Sequence, residues 1–464
     1  MKLAIANGTL VTEQGQRRSD VLCEDGHIVA IADSGMSAAA DQVVDATGCL
    51  VFPGFIDPHI HSRDPGMTDK EDFAHATRAA AVGGVTTVFD MPNNVPPVTD
   101  ANIFGERADQ HQRVAFVDFG LWGLSLGEEN VQELGPLISA GAVGIKLFLG
   151  YYFNRATRRL LYEIDGLRPE ELIPPPTNGE VLAVMDAVAA SSGLVAGHCE
   201  DRGVIEARTR ALGRRAQSYA DLLYQRPDVA ETASIAAAIA LAAGSGCRLH
   251  ILHVSSAPGA QLLGWAQRNG TSVTAETCAH YLTLTADSAG ELGARLKVFP
   301  PVRRDADREA LLRAVQDGSI ASISSDHAPH TLEEKALPFD RAPAGMIGTE
   351  TLVPLMLDLM HSRSITPERL ALVLSTGTAR LYGVYPQKGA IQTGSDADFT
   401  IVDPNLRWKI RAEDLHSKQR WSAWDGREVT GRARATVLRG HVIARDGEPL
   451  GVPLGRLVKP RRDA

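Results

Sequence analysis

Apolar runs of strand length alternate with helical stretches through the central part of the chain. The eight runs are Val51–Asp57, Thr86–Asp90, Ala115–Leu121, Val143–Leu149, Leu194–His198, Arg248–His253, Ser272–Thr277 and Ile320–Ser324. Between most of them, Ala- and Leu-rich segments have helical spacing, for example Phe73–Val82, Gly179–Ala190, Ala230–Ala243 and Asp307–Val315. This alternation predicts an α/β fold of the (β/α)8 TIM-barrel type with parallel strands, and a doubly wound open sheet is the alternative.

Both ends of the chain show a different pattern, in which short apolar or alternating strands are separated by turn residues. The expected strands are Leu3–Ala6, Leu10–Thr12, Asp20–Glu24 and Ile28–Ala32 at the start, and Gly389–Gln392, Asp398–Val402, Thr430–Leu438 and His441–Ala444 at the end. The dipeptides Asn7-Gly8 and Asp25-Gly26 are typical of hairpin turns. We therefore predict a small β-sandwich domain formed by residues 1–52 and 388–464, and a barrel formed by residues 53–387.

One segment inside the predicted barrel lacks the regular pattern. Residues Arg155–Asn178 include Pro174-Pro175-Pro176 and are expected to form an excursion over one face of the barrel.

Composition narrows the class of partner. A net charge of -9 argues against nucleic acid or an anionic membrane as the main partner. Apolar residues make up 44% of the chain, which is enough for a large core. Five cysteines in 464 residues do not form a disulfide framework. With neither a signal peptide nor a membrane span expected, the predicted location is the cytoplasm.

Side chains that can bind metal ions stand at the carboxyl ends of five predicted strands. They are His59, His61, Lys146, His198, His253 and Asp326. Each has an ordinary interpretation taken alone: a polar loop for the His59–His61 pair, a core histidine for His198, and a helix cap for Asp326. Because functional side chains of such barrels gather at the carboxyl ends of the strands, the whole set predicts one site.

Lys146 is unusual because it interrupts an apolar strand. An ammonium group there is costly to bury, and the alternatives are that it reaches the surface or pairs with an acid. A neutral lysine amine can instead add carbon dioxide, and the resulting carbamate has two oxygens that can bridge two cations. Together the six side chains predict a hydrolytic site with two metal ions, with zinc as the expected metal and manganese or cobalt as possible replacements.

Three motifs give the sequence a family resemblance. They are His59-Ile60-His61-Ser62-Arg63-Asp64-Pro65-Gly66, Asp90-Met91-Pro92-Asn93-Asn94 and Asp326-His327-Ala328-Pro329-His330-Thr331-Leu332-Glu333-Glu334-Lys335. With them the chain resembles the amidohydrolase superfamily, and within it the cyclic amidohydrolases, most of all the dihydroorotases. The likeness runs from the Pro53-Gly54-Phe55-Ile56-Asp57 stretch to about residue 440.

The resemblance implies a role for each residue of the site. It places His59, His61, Lys146 and Asp326 on one zinc ion, and Lys146, His198 and His253 on the other. It implies that Arg63, Asn93, His330 and Gly345 bind the substrate, with Arg63 forming a two-pronged contact to a carboxylate. Asp326 is then the catalytic residue that carries a proton from the attacking water to the leaving ring nitrogen. The partner is a small cyclic amide, and a homodimer or homotetramer is expected.

Two stretches depart from the dihydroorotase pattern. Phe299-Pro300-Pro301 stands where many bacterial dihydroorotases have Asn-Pro-Pro, and Glu276–Leu282 is more like the allantoinase and hydantoinase branch. Because the three motifs match dihydroorotases, the main functional hypothesis is still a dihydroorotase, which interconverts dihydroorotate and carbamoyl aspartate. The alternatives are an allantoinase or a hydantoinase/dihydropyrimidinase and, more remotely, an inactive relative that serves as a scaffold.

Overall fold

The computed structural model describes residues 1–462, apart from 163, 165 and 363. Strands from both chain ends form two sheets. Those of the N-terminal part are β1 (Lys2–Ala6), β2 (Thr9–Thr12), β3 (Gly15–Arg18), β4 (Asp20–Glu24), β5 (His27–Ala32), β6 (Gln42–Asp45) and β7 (Leu50–Pro53). The central strands are β8 (Phe55–Ile60), β9 (Val85–Asp90), β10 (Asp118–Leu121), β11 (Gly123–Leu124), β12 (Ile145–Phe148), β13 (Tyr152–Asn154), β14 (Leu160–Leu161), β15 (Leu172–Ile173), β16 (Leu194–His198), β17 (Arg248–Ile251), β18 (Val273–Cys278) and β19 (Ser322–Ser324). The C-terminal strands are β20 (Phe399–Lys409), β21 (Glu428–Leu438), β22 (His441–Arg445) and β23 (Glu448–Pro449).

The two terminal segments share one sheet and one hydrophobic core. One sheet has the order β5-β4-β1-β6, and the other has the order β23-β22-β21-β20-β7-β2-β3. Leu3 and Val21 from the N-terminal part pack in the same cluster as Phe399 and Val437 from the C-terminal part. The two ends thus share a sheet and a core, while the division into domains at residues 52 and 388 stays a prediction.

The chain crosses from one sheet to another at Gly54. The predicted strand Val51–Asp57 is wrong as a single element: it is divided into β7, which pairs with β20, and β8, which pairs with β9. A side chain at Gly54 would place its Cβ only 2.2 Å from Thr86 Oγ1. Both halves are buried and apolar, so hydrophobicity could not reveal the break.

The turn predictions at the chain ends differ in outcome. Asp25-Gly26 is a hairpin turn, with φ of 51° and 88° and with Glu24 paired to His27. Asn7-Gly8 instead connects β1 and β2, which belong to different sheets, so that hairpin prediction is wrong. The predicted strand Gly389–Gln392 is also wrong, because those residues form irregular structure.

Parallel strands form the centre of the molecule. β8, β9 and β10 pair in order, as do β11, β12, β16, β17, β18 and β19. β10 and β11 flank Trp122, whose backbone N–H donates to Asp90 O at 3.1 Å. The end of the series returns to its start, because His61 N–H donates to His327 O at 2.7 Å. The α/β class is confirmed, and this order is consistent with the predicted eight-stranded barrel.

Helices follow most of the central strands. They are α1 (Phe73–Gly83), α2 (Ala101–Gln112), α3 (Leu134–Ala140), α4 (Asn178–Ala190), α5 (Arg202–Leu212), α6 (Tyr219–Gln225), α7 (Asp228–Ser245), α8 (Ala257–Arg268), α9 (Ala279–Thr283), α10 (Ala289–Leu292), α11 (Asp305–Asp317), α12 (Leu332–Lys335), α13 (Thr349–His361), α14 (Pro367–Ala371) and α15 (Gly377–Leu381). The irregular segment Arg155–Asn178 pairs with β13 through β14 and β15, although residues 163 and 165 of this segment lie outside the described part.

One stretch of the described chain, Tyr219–Ser245, is long and apolar enough to cross a membrane by length and composition alone. This differs from the expectation that no stretch would qualify. The stretch is interrupted between α6 and α7 at Pro227, and one face of α7 is buried against α4 and α8. Its apolar composition is therefore explained by packing on neighbouring helices, which makes the stretch weak evidence for a membrane span.

Candidate metal centre

The predicted metal-ligand residues all lie at one end of the parallel strands. They line a single pocket and comprise His59, His61, Lys146, His198, His253 and Asp326. His59 belongs to β8 and His61 follows it directly, Lys146 belongs to β12, and His198 ends β16. The structure thus brings together six side chains that are separated by up to 267 positions in the sequence.

Three of these side chains form a first group. His59 Nε2 and His61 Nε2 each lie 3.3 Å from Asp326 Oδ1. The two imidazole rings are 5.3 Å apart between centroids and face the same carboxylate. Two nitrogens and one carboxylate oxygen that converge in this way could hold a metal ion.

Two histidines form a second group beside the first. His198 Nδ1 and His253 Nε2 lie 2.9 Å apart, and the ring of His253 is 5.5 Å from that of His59. Lys146 lies in the same pocket, with Nζ 4.6 Å from the centroid of the Phe148 ring. Burial lowers the pKa of both His198 and His253, and the charge of Lys146 adds to the decrease.

Hydrogen-bond acceptors behind three of the histidines fix their orientation. His59 Nδ1 contacts Glu276 Oε1 at 2.6 Å, and His61 Nδ1 contacts Asn93 Oδ1 at 2.8 Å. The third contact joins His198 Nε2 to Glu200 Oε2 at 2.9 Å. Because each acceptor takes the N–H of one ring nitrogen, the other nitrogen of that ring keeps its lone pair for a metal ion.

The sequence analysis missed Glu276 and Glu200 as functional residues. Both carboxylates are completely buried. Glu276 stands in the seventh predicted strand, to which we had assigned no chemistry, and Glu200 follows His198 by two positions. An acidic residue inside an otherwise buried strand was the available signal, because a buried carboxylate needs a partner.

Neighbouring charges control the protonation of the acids. Burial alone would raise the pKa of Asp326, but the imidazoles of His59 and His61 lower it well below its ordinary value. Burial opposes ionisation of Glu276 as well, yet His59 and His250 lower its pKa to about 2. Both carboxylates are therefore ionised at neutral pH, as metal binding and proton acceptance require.

Residues 50–443 match the model of the amidohydrolase family. The chain belongs to the amidohydrolase family. It is 38% identical to an allantoinase of Rubrobacter xylanophilus, over 99% of this chain and 98% of that protein. It is 32% identical to an L-hydantoinase of Paenarthrobacter aurescens, over 96% and 95%.

A solved structure extends the comparison to the fold. The L-hydantoinase (dihydropyrimidinase) from Arthrobacter aurescens superimposes on this amidohydrolase with a TM-score of 0.91 and 32% identity, over 98% of this chain and 99% of that one. These relatives support the allantoinase and hydantoinase branch rather than the expected likeness to dihydroorotase.

Metal ions are general in the amidohydrolase family, and the residues of this chain fit them. Two groups of donors converge, and acceptors stand behind three of the histidines, as described above. Burial lowers the pKa of Lys146 to about 8, with Asp326 partly offsetting the shift. Among the described residues no carboxylate forms an ion pair with Lys146, so its amine is free of the pairing that would hold it as a cation.

A buried cationic side chain, Arg63, lies beside His330. Arg63 is 4% exposed, and its Nε donates to Pro329 O at 3.2 Å. One terminal nitrogen lies 3.3 Å from His330 Nε2. Within the described chain, Arg63 forms no ion pair with an acid, so its charge is available to a carboxylate.

The other predicted substrate residues already have protein partners. Asn93 uses its Oδ1 on His61, and His330 Nε2 lies 3.0 Å from Ala344 O. Gly345 donates its N–H to Lys297 O and accepts from Lys335 Nζ. Gly345 has a φ of 147°, and a Cβ there would lie 2.3 Å from Ala328 O, so glycine is required for this close approach. Substrate binding by these residues stays a prediction.

An aromatic wall separates the pocket from a larger cavity. Phe299 and Tyr162 line both the metal-ligand pocket and a neighbouring cavity of about 430 Å³. The guanidinium carbon of Arg226 lies 3.7 Å from the centroid of the Phe299 ring. Arg226 is itself paired with Glu200, the residue behind His198. The wall is thus connected to the metal-ligand group through one buried ion pair.

Proposed function

We propose that this amidohydrolase opens a cyclic amide in a metal-dependent reaction, and that its substrate is a five-membered ureide ring of the allantoin or hydantoin type. The observation that carries the proposal is the convergence of two donor groups, one on Asp326 and one between His198 and His253, in one pocket. The names of the relatives support the ring type. Dihydroorotate, the substrate first expected, has less support because the relatives reported above are an allantoinase and hydantoinases.

The ligand roles follow from the two groups. His59, His61 and Asp326 would hold one ion, and His198 and His253 would hold the other. Lys146, as a carbamate, would contribute one oxygen to each ion. Two ions bound in this way would polarise the ring carbonyl and lower the pKa of the attacking water. Zinc is the metal we propose, because imidazole and carboxylate donors suit it.

Asp326 is proposed to carry the proton. Its carboxylate is ionised at neutral pH and 9% exposed, so it can accept a proton from the attacking water inside the pocket. It would then deliver that proton to the ring nitrogen as the C–N bond breaks. Asn93 holds His61 in place during these steps, and Phe299 and Tyr162 offer apolar faces on which a flat ring can stack.

The decisive experiment is a substrate panel. We would load the purified protein with zinc and measure hydrolysis of allantoin, hydantoin, dihydrouracil and dihydroorotate. Turnover of allantoin or hydantoin that is lost in Asp326→Asn, while metal content remains measurable, is the expected result. Near-normal turnover in Asp326→Asn would refute the proton-transfer role. A protein that contains no metal and is not activated by zinc would support the scaffold alternative.

A second candidate is dihydroorotase, and Arg63 is the observation that favours it. A buried guanidinium that has no acidic partner among the described residues suits a substrate that carries a carboxylate beside its ring, as dihydroorotate does. The same panel separates the candidates: turnover of dihydroorotate that collapses in Arg63→Ala would favour dihydroorotase over the ureide rings.

A further inference from the structure

A third group of metal-binding atoms shares Asp326 with the first group. Cys278 ends β18, His280 belongs to α9, and the three ligand atoms of Cys278, His280 and Asp326 lie within 4.8 Å of one another. Neither Cys278 nor His280 takes part in the proposed reaction. The group thus offers a thiol, an imidazole and a carboxylate at one point.

His280 supplies an independent observation that points to a ligand. Its side chain is 1% exposed, and neither ring nitrogen has a hydrogen bond of normal geometry to a described residue, although the ring lies close to the Ser325 backbone. A buried imidazole without a partner is costly, and native proteins keep few such groups. Cys278 is completely buried, and its sulfur has only a weak contact, with Ser324 Oγ at 3.3 Å. Both side chains therefore have unused capacity to bind a cation.

Other clusters of this kind in the described chain are already neutralised. Asp118, Asp396 and Asp398 surround the ammonium of Lys388, whose Nζ lies 2.7 Å from Asp398 and 2.9 Å from Asp396. The cluster of Glu71, Asp72 and His75 contacts Lys418, whose Nζ lies 3.3 Å from the Asp72 carboxylate. In the described chain, Asp326 of the Cys278 group contacts the imidazoles of His59 and His61 but forms no ion pair with a lysine or arginine.

We propose that Cys278, His280 and Asp326 form a second, inhibitory site for a thiophilic divalent cation such as Cd²⁺ or surplus Zn²⁺. Thiolate and imidazole favour soft cations over Mg²⁺ or Ca²⁺. A cation held there would engage the carboxylate of Asp326, which then could not accept a proton from the attacking water. The binding itself is independent of the reaction, whereas the inhibition rests on the proposed function.

Binding at this site exchanges a proton for the cation. The S–H bond of Cys278 breaks, a bond between sulfur and the cation forms, and the proton passes to the buffer. A cysteine thiol is ordinarily protonated at neutral pH. Only a cation with high affinity for sulfur can displace that proton. The metal preference of this site therefore differs from that of the proposed catalytic ligands, which include no cysteine.

Cadmium provides a direct test, because a bond between Cd²⁺ and a thiolate produces an ultraviolet charge-transfer band. We would titrate the zinc-loaded enzyme with Cd²⁺ and follow this band, the bound cadmium by equilibrium dialysis, and the hydrolase activity. The expected result is a band that saturates with one cadmium ion per chain as activity falls. The band should disappear in Cys278→Ala, and the activity of that variant should resist the same cadmium concentration.

Cys199→Ala is the matched control, since Cys199 is also a buried free cysteine close to Lys146 but belongs to no group of three ligands. It should keep the band. If Cys278→Ala does not fold, His280→Gln serves instead and should weaken cadmium binding by at least about tenfold. A wild-type enzyme without the band, or a band that persists in Cys278→Ala, would overturn the proposal. A band in a protein that hydrolyses no ring would refute the proposed function while leaving the site intact.

Discussion

Replacing Glu276 by glutamine would remove one charge from behind His59 while keeping nearly the same shape. Glu276 is completely buried, and its Oε1 lies 2.6 Å from His59 Nδ1. Its second oxygen lies 3.6 Å from His250 Nε2. The variant keeps an acceptor for the His59 N–H but loses the negative charge that makes the opposite ring nitrogen a stronger donor to a metal ion. We expect weaker metal binding in a protein that still folds.

The structure gives the magnitude of the effect. The surroundings of Glu276 lower its pKa from an ordinary value of 4.5 to about 2. At about 1.4 kcal/mol for each pKa unit, its ionised form is stabilised by roughly 3 kcal/mol. Partners behind a metal-bound histidine typically change metal affinity by 10- to 100-fold, or about 1.4 to 2.8 kcal/mol. The second figure predicts a loss of metal affinity of one to two orders of magnitude. The first shows that the negative charge the variant removes is strongly stabilised by its surroundings.

A competition titration with a chromophoric chelator would measure the metal affinity directly. Activity at saturating zinc should recover most of its wild-type value, because Glu276 does not touch the substrate pocket. Glu350→Gln is the control, since Glu350 is another buried glutamate, and its hydrogen-bond partner, His416, lies outside the metal-ligand group. Equal metal affinity in wild type and Glu276→Gln, or equal losses in both variants, would refute the reasoning.

Three further predictions concern other charged groups. The neutral fraction of the Lys146 amine rises from about one-tenth to nine-tenths across the two pH units centred on its pKa of about 8. Because only the neutral amine adds carbon dioxide, reconstitution of the enzyme with zinc at equal dissolved carbon dioxide should be faster on the alkaline side of this range. A reconstitution rate that does not depend on pH would contradict carbamate formation. Arg63→Ala should raise KM by about 10- to 100-fold for a ring that carries a carboxylate and by much less for uncharged hydantoin, as steady-state kinetics would show. Lys388→Met would remove the ammonium from three buried carboxylates, of which, among the described residues, Asp118 alone keeps a second cation, Arg439. The variant should cost about 3–5 kcal/mol in denaturant unfolding. Lys2→Met, which breaks an exposed ion pair with Glu24, should change stability by less than about 1 kcal/mol.

The metal-ligand residues could be predicted from the sequence because their positions follow from strand geometry. In a parallel arrangement the carboxyl ends of the strands meet, so His59 in β8 and His198 at the end of β16 approach each other whatever lies between them. The same argument placed Lys146 and Asp326. It requires only that each strand be recognised, and the central strands are continuous apolar runs.

The residues behind the histidines could not be predicted in the same way. Which acceptor meets His61 depends on the orientation of its ring, and the sequence pattern predicts strands but not side-chain rotamers. Asn93 was thus assigned to the substrate, while the structure shows its Oδ1 on His61. The break at Gly54 escaped for a related reason, since only the partners of each half distinguish β7 from β8.

The backbone at the pocket is held in a conformation that side chains disfavour. Arg63, His253 and Asp326 have φ of 62°, 39° and 45°, in the left-handed region that usually belongs to glycine. Each costs about 1–2 kcal/mol, and the cost is highest for the long or branched side chains. Hydrogen bonds on both sides hold the turn at Asp326, because Ser325 N–H donates to Asp57 Oδ1 at 3.0 Å and Ala328 N–H donates to Met346 O at 2.7 Å. Backbone strain of this kind is typical of functional sites, where it fixes the direction of a side chain, and at Asp326 the neighbouring hydrogen bonds hold the strained turn in place.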